Sequence, residues 1–152
     1  MSIKQVGVIG AGTMGNGIAQ VCAAAGLDVI LVDISEQALS NAVSTISKSL
    51  DRLVRKEELS AEQKEQTLER VRTSTAIADL ANADLVIEAA SELLHVKEAI
   101  IRQVDEVVST DAIIATNTSS ISITRLASAS RLPERCIGMH FFNPVPVMLL
   151  VE

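Results

Sequence analysis

Gly10-Ala11-Gly12-Thr13-Met14-Gly15 decides how this chain folds. Val6-Gly7-Val8-Ile9 leads into it as a buried strand, and from Thr13 to Ala25 the pattern is helical, with Gly26 placed to stop the helix in a left-handed turn. Val29-Ile30-Leu31-Val32 follows as a second buried strand and ends in Asp33, eighteen residues after Gly15. A glycine-rich turn alone could close an ordinary loop. Strand, turn, helix, strand and terminal acid in this order make the βαβ fingerprint of a dinucleotide site. Gly10 permits the tight turn, Gly12 lets the backbone approach a pyrophosphate, and Gly15 lets helix and strand pack closely. The helix N-terminus, at Thr13 and Met14, offers unpaired N–H groups and partial positive charge to phosphates. Asp33 can accept hydrogen bonds from a ribose 2′-hydroxyl and would repel a 2′-phosphate. Ile34, Ser35 and Glu36 follow it with no arginine, so the expected cofactor is NAD and not NADP.

At 152 residues the chain has room for one domain, 1–152, with a substantial core. Hydrophobic residues at 48% and charged residues at 21% are ordinary globular composition and argue against disorder. No apolar run is long enough to span a membrane. The first strand begins within a few residues of Met1, so no signal or transit peptide is expected and a cytoplasmic location is the simplest reading. A net charge of −6, with no Trp or Tyr to stack on bases, makes nucleic acid an unsuitable partner. Cys22 and Cys136 match no metal or redox spacing, and no metal site is expected. Both read as buried reduced thiols.

Further buried strands are expected at Leu85-Val86-Ile87-Glu88-Ala89 and Ala112-Ile113-Ile114-Ala115-Thr116, and a sixth over roughly Cys136 to Phe141. Their near-continuous apolar character suits strands covered by helices on both faces. Alternating helical stretches make this an α/β fold, a doubly wound, mostly parallel sheet of Rossmann type. Between the second and third strands the alternation breaks. Ser35 to about Glu57 is a long helix with Ser35 as N-cap, and Ser60 caps another, with Gln63 completing a capping box. This inserted helical hairpin is too polar to be all core. On its first arm Ser49, Arg52 and Lys56 share one face, with Lys48 and Arg55 at its edges. Such a basic cluster is either a solvated face or a contact for a phosphate-bearing ligand.

The chain closes with His140-Phe141-Phe142-Asn143-Pro144-Val145-Pro146-Val147-Met148-Leu149-Leu150-Val151-Glu152. His140 lies at the C-terminal end of a parallel strand, where open α/β sheets place their ligands. Asn143 to Pro146 forces a turn, and Met148 to Val151 reads as a strand running away from it. A reversal centred at Pro146 could set the His140 imidazole against the Glu152 carboxylate. Such a pair suits alcohol oxidation: imidazole takes the hydroxyl proton, and carboxylate fixes the tautomer and stabilises the imidazolium. The alternative is a core histidine and a frayed terminal acid.

Three ordered segments resemble the 3-hydroxyacyl-CoA dehydrogenase family over the whole chain: Gly10 to Gly15, Asn117-Thr118-Ser119-Ser120, and His140 to Glu152. The resemblance implies an NAD-linked oxidoreductase interconverting (S)-3-hydroxyacyl-CoA and 3-ketoacyl-CoA in fatty-acid or butanoate metabolism. It further implies His140 as catalytic base, Glu152 as its orienting partner, and Ser119 as a hydrogen-bond donor to the substrate's reacting oxygen or nearby cofactor. Glu92, Lys97, Asn117 and Asn143 match cofactor-contacting positions, and Ser49 and Lys56 match positions that contact coenzyme A. His95, in the first turn of a polar helix, is assigned no role and is expected to be exposed. Leu149 stands where the family often has lysine. Family members continue into an all-helical second domain that covers the acyl pocket and builds a homodimer, which these 152 residues lack. A dehydrogenase of a small free hydroxy acid and a non-catalytic NAD-binding module remain the competing readings.

Overall fold

The computed structural model describes residues 2–152. Six strands, β1 (Gln5–Ile9), β2 (Asp28–Val32), β3 (Val71–Ser74), β4 (Leu85–Glu88), β5 (Ile113–Thr116) and β6 (Cys136–Gly138), form one sheet in the order β3-β2-β1-β4-β5-β6. Every neighbouring pair is parallel, including Val6↔Val29, Val6↔Leu85 and Ile114↔Cys136. Chain direction of travel across the sheet reverses between β1 and β4, which opens a crevice at their C-terminal ends.

Helices α1 (Thr13–Ala24), α2 (Glu36–Arg55), α3 (Ala61–Glu69), α4 (Leu94–Val107) and α5 (Ile123–Ala127) connect the strands. Because successive strand residues point to opposite faces, each buried strand feeds two cores. Val29 and Leu31 join Ile18 of α1 and Ile46 of α2 in one. Ile30 and Val32 join Ile101 and Val104 of α4 and Leu126 of α5 in the other. Cover on both faces is what the unbroken apolar strands require.

Local signals hold at the helix ends. Gly26 adopts φ +91° after α1, and the Ser35 side chain accepts from the Ala38 N–H. Ser60 and Gln63 make both hydrogen bonds of a capping box. Along α2 the buried residues are Leu39, Ala42, Ile46 and Leu50. No residue of α2 beyond Leu50 is fully buried, but Leu53 and Leu59 near the hairpin tip still pack, partly covered, against the first core.

Four expectations change. β3 was not located by pattern: Val71-Arg72-Thr73-Ser74 is a half-exposed edge strand without an apolar run. β6 ends at Gly138, not Phe141, because its pairing stops where β5 ends, at Thr116↔Gly138. Met148 to Val151 is not a strand; it lacks a partner except for a single antiparallel bridge, Phe141↔Val151. Cys22 and Cys136 are free but only partly buried. Cys22 lies beside the buried face of α1, and burial still pushes its thiol up to about 11. Cys136 opens the edge strand β6. No helix among the described residues is long and apolar enough to cross a membrane.

Asp105 of α4 fixes the approach to β6. It accepts from the Ser130 hydroxyl, the Arg131 Nε–H and the Arg135 Nη2–H, each at 2.6 Å. Burial works to raise its pKa, but the hydrogen bonds from Ser130, Arg135 and Arg131 outweigh it and hold the carboxyl well below the usual carboxylate range. A depressed carboxyl contributes stability that is complete above its unfolded pKa of about 3.9 and is lost as pH falls below that value. Asp105→Asn leaves Arg135 buried without its counter-ion and should cost about 3–5 kcal/mol. Urea midpoints measured from neutral to acid pH should fall steeply below about pH 4 in the unmodified chain and much less in the variant.

Candidate active site

Gly10 leaves β1 with φ +103°, and a Cβ there would lie 2.6 Å from the Ala89 carbonyl oxygen. At Gly15 the constraint is harsher: a Cβ would sit 1.6 Å from the Gly10 carbonyl oxygen. Only glycine lets the first turn of α1 lie on the loop beneath it. Gly12 is the opposite case, with nothing within 4 Å of where its Cβ would be. It is the N-cap of α1 and brings no side chain to the first-turn N–H groups. The loop therefore presents open space and free donors together, which fits a dinucleotide pyrophosphate. Thr13 and Met14 begin the helix there.

Asp33, half-buried just past β2, is tied into the backbone by both of its carboxylate oxygens. One oxygen accepts from the Ala11 N–H at 2.8 Å and the other from the Ser35 N–H at 2.9 Å. The carboxylate thus braces the glycine loop and the start of α2.

Past the C-terminal ends of β1, β4 and β5 lies a cleft of about 320 Å³ lined by Met14, Glu92, Lys97, Asn117, Ser119, His140 and Asn143, among others. Larger recesses exist, including one of about 540 Å³ at the N-terminal ends of β4 and β5. Its acids are Asp84, already tied to the Lys4 and Gln5 N–H groups, and Asp111, and it gathers no base along its lining. The cleft at the other end does.

The terminal segment is placed by three anchors. Met139 N–H donates to the Thr116 carbonyl at 2.9 Å. Phe141 N–H donates to the Asn117 side-chain oxygen at 2.8 Å. Val145, nearly fully buried, packs onto α1 at Gly17, where a Cβ would come within 2.8 Å of the Val145 Cβ. Between these anchors the chain turns, with Val147 and Met148 N–H groups both donating to the Pro144 carbonyl. His140 and Glu152 then face each other through reciprocal backbone hydrogen bonds of 2.8 and 2.9 Å. Their side chains meet as well, His140 Nδ1 lying 3.3 Å from Glu152 Oε2. The imidazole is 28% exposed and the carboxylate 64%, and the Phe142 ring packs edge-on against the imidazole, with ring centroids 4.7 Å apart.

Beneath the cleft Glu92 and Lys97 join a charge cluster whose third member, Glu88, the sequence did not mark as a site residue. Glu88, the last residue of β4, is fully buried and grips the Lys97 ammonium with both oxygens at 2.9 Å. Thr116 Oγ1 and the Ala90 N–H, each at 2.7 Å, donate to the same carboxylate. Lys97 also lies 3.4 Å from Glu92, which accepts from the Thr118 and Ser120 hydroxyls. Burial works to raise the Glu92 pKa, but the Thr118 hydrogen bond, the Lys97 charge and Ser120 prevail and lower it. The visible signal was a lone carboxylate ending an apolar strand. Its partners lie nine and twenty-eight residues away, beyond any local pattern.

His140, Glu152, Ser119, Asn117, Asn143, Glu92 and Lys97 are thus brought to one region. Lys97 arrives with its ammonium already engaged, and Asn117 with its side-chain oxygen bonded to Phe141. Ser119 is exposed at the rim. Ser49 and Lys56 are not among the cleft's lining residues; Ser49 is half-buried in α2 and Lys56 is its exposed C-cap. His95 is exposed on α4.

A family model described as 3-hydroxyacyl-CoA dehydrogenase, NAD binding domain, matches residues 5–152. A 3-hydroxybutyryl-CoA dehydrogenase of Bradyrhizobium diazoefficiens is 52% identical over 99% of this chain and 51% of its own length. A 3-hydroxyadipyl-CoA dehydrogenase of Escherichia coli K12 is 51% identical over 100% of this chain and 32% of its own. The crystal structure of (S)-3-hydroxybutyryl-CoA dehydrogenase from Ralstonia eutropha superposes with a TM-score of 0.96 at 55% identity, over 99% of this chain and 53% of that one. The chain spans about half, or less, of the length of these relatives.

The Gly17–Val145 contact yields a direct test of how the terminal segment is seated. Gly17→Ala forces a methyl into Val145 and should cost about 1–3 kcal/mol by overpacking. Urea denaturation measures that loss, and hydrogen exchange should show the His140 and Glu152 amides opening faster. Unchanged protection of those two amides would mean that Val145 does not hold the segment.

Proposed function

The chain belongs to the NAD-binding domain family of the 3-hydroxyacyl-CoA dehydrogenases, and from that premise we propose that it carries the redox half of an enzyme interconverting (S)-3-hydroxyacyl-CoA and 3-ketoacyl-CoA, with His140 as general base. The observation that carries the proposal is the His140–Glu152 pair, 3.3 Å apart at the rim of the cleft that borders the glycine loop. NAD, when bound, supplies the hydride acceptor.

The chain's own groups do the rest. Glu152 holds Nδ1, so the other ring nitrogen is left to take the proton of a C3 hydroxyl as the C3–H bond breaks. The imidazolium so formed gains the Glu152 carboxylate as counter-ion, and the same proton returns to the ketone oxygen in the reverse direction. Ser119, exposed beside His140, is suited to donate a hydrogen bond to that oxygen. Asn143 and Glu92 flank the space a cofactor ring would fill. Ser49 and Lys56, on the hairpin, would meet coenzyme A away from the reacting centre, where a cationic face suits a phosphate-bearing ligand.

Cofactor fluorescence tests the first step. NADH should saturate the chain, and Asp33→Ala should weaken NADH more than NADPH; equal losses would remove the basis for NAD preference. Residual oxidation of NADH by acetoacetyl-CoA should drop about a hundredfold or more in His140→Ala, with the NADH dissociation constant changed by less than about threefold. Retained turnover would dismiss His140 as base. Acetoacetyl-CoA should also outperform free acetoacetate as oxidant, and Lys56→Ala should erode that advantage. Equal use of the two would favour a dehydrogenase of small free acids.

A further inference from the structure

Glu88, Lys97 and Glu92 form one electrostatic unit at the floor of the cleft. Two carboxylates and one ammonium leave it with one net negative charge, in the same cleft of about 320 Å³ that His140 lines. The distribution of that charge is set by Glu88. Its two oxygens bind the Lys97 ammonium at 2.9 Å each, whereas Glu92 lies 3.4 Å from it. Lys97 is 1% exposed and Glu88 likewise, while the Glu92 side chain is 41% exposed. The ammonium is therefore neutralised in the interior, and the carboxylate that faces the cleft keeps its charge.

We infer that this triad biases the cleft toward the oxidised form of the nicotinamide cofactor, with Glu88 as the positioning residue that keeps Lys97 from cancelling Glu92. The oxidised ring is cationic and the reduced ring neutral, so a net negative floor stabilises only the first. Hydride transfer beside His140 would bring the ring into this cleft, over the buried Glu88–Lys97 pair, where a charge is screened less than at an open surface. The effect sits on top of hydrogen bonding and packing, which the two redox forms share. It concerns the ratio of the two affinities, not their absolute size. Glu88 has no other use in the chemistry: it touches Lys97, Thr116 and Ala90, and it is fully buried. The inference rests on the cofactor reading above.

The test measures both redox forms on the same chain, NADH by fluorescence titration and NAD by displacement of NADH. Glu92→Gln removes the exposed carboxylate without disturbing the buried pair. Glu88→Gln frees Lys97 to close on Glu92. Each makes the site neutral and should raise the ratio of the NAD to the NADH dissociation constant about threefold to tenfold. The double variant Glu88→Gln with Lys97→Met restores one net negative charge and avoids a buried unpaired ammonium. Its ratio should stay within about twofold of the unmodified chain, even if Glu88→Gln alone folds poorly. Equal weakening of both forms in Glu92→Gln, or a double variant as shifted as Glu92→Gln, would overturn the inference while leaving the cofactor reading intact. Failure of the unmodified chain to bind either form would instead overturn the cofactor reading and this inference with it.

Discussion

A methyl group on residue 15 would lie 1.6 Å from the Gly10 carbonyl oxygen, and the geometry of the whole site follows from the contact that its absence permits. Lying directly on the loop, α1 aims its N-terminus at the end of β1 and leaves open space over Gly12. Two residues on, and so on nearly the opposite side of the helix, Gly17 receives Val145 from the far end of the chain. One helix therefore seats both the cofactor loop and the segment bearing His140. Rigidity matters here, because the His140–Glu152 contact of 3.3 Å lasts only while both stretches of backbone are held in place. The anchors at Met139, Phe141 and Val145 supply that rigidity to a stretch that is otherwise largely exposed.

Two buried ionic clusters hold the loops at the two ends of the sheet. Glu88 and Lys97 underlie the cleft, while Asp105 and Arg135 tie α4 to the turn that precedes β6. A buried pair offsets its desolvation only when the remaining lone pairs and protons are also satisfied. Thr116 and Ala90 do this for Glu88, and Ser130 and Arg131 do it for the Asp105 carboxylate, although the Nε–H of Arg135 is buried without a partner among the described residues. Both clusters join segments far apart in sequence, so their effect is to fix where loops lie, more than to add net stability. Asp33 works in the same manner on a smaller scale, bracing Ala11 and Ser35.

Much of this was legible in the chain because its causes are local. The βαβ unit is written in consecutive residues, and the Ser60–Gln63 capping box needs only three positions. Gly26 declares a left-handed turn by its identity. β3 escaped because an edge strand half open to water needs no apolar run, and Val71-Arg72-Thr73-Ser74 has none. The end of β6 escaped because it depends on where β5 stops. Cys22 reads as buried from its place in a small-residue helix, yet one step around that helix separates a buried face from a half-buried one.

What the sequence by itself determined is the nucleotide-binding frame, since glycine geometry, capping and apolar runs act within a few residues. It also named His140 and Glu152 as partners in waiting, twelve residues apart across prolines. Only the tertiary structure decided that they meet, since their encounter requires Asn117 to catch Phe141 and Gly17 to receive Val145. It alone revealed Glu88 as the keeper of Lys97, because a charge inside a sheet is defined by whatever the other strands and helices bring to it. Short-range sterics can be read along the chain, whereas the pairing of distant polar groups exists only after the chain has closed on itself.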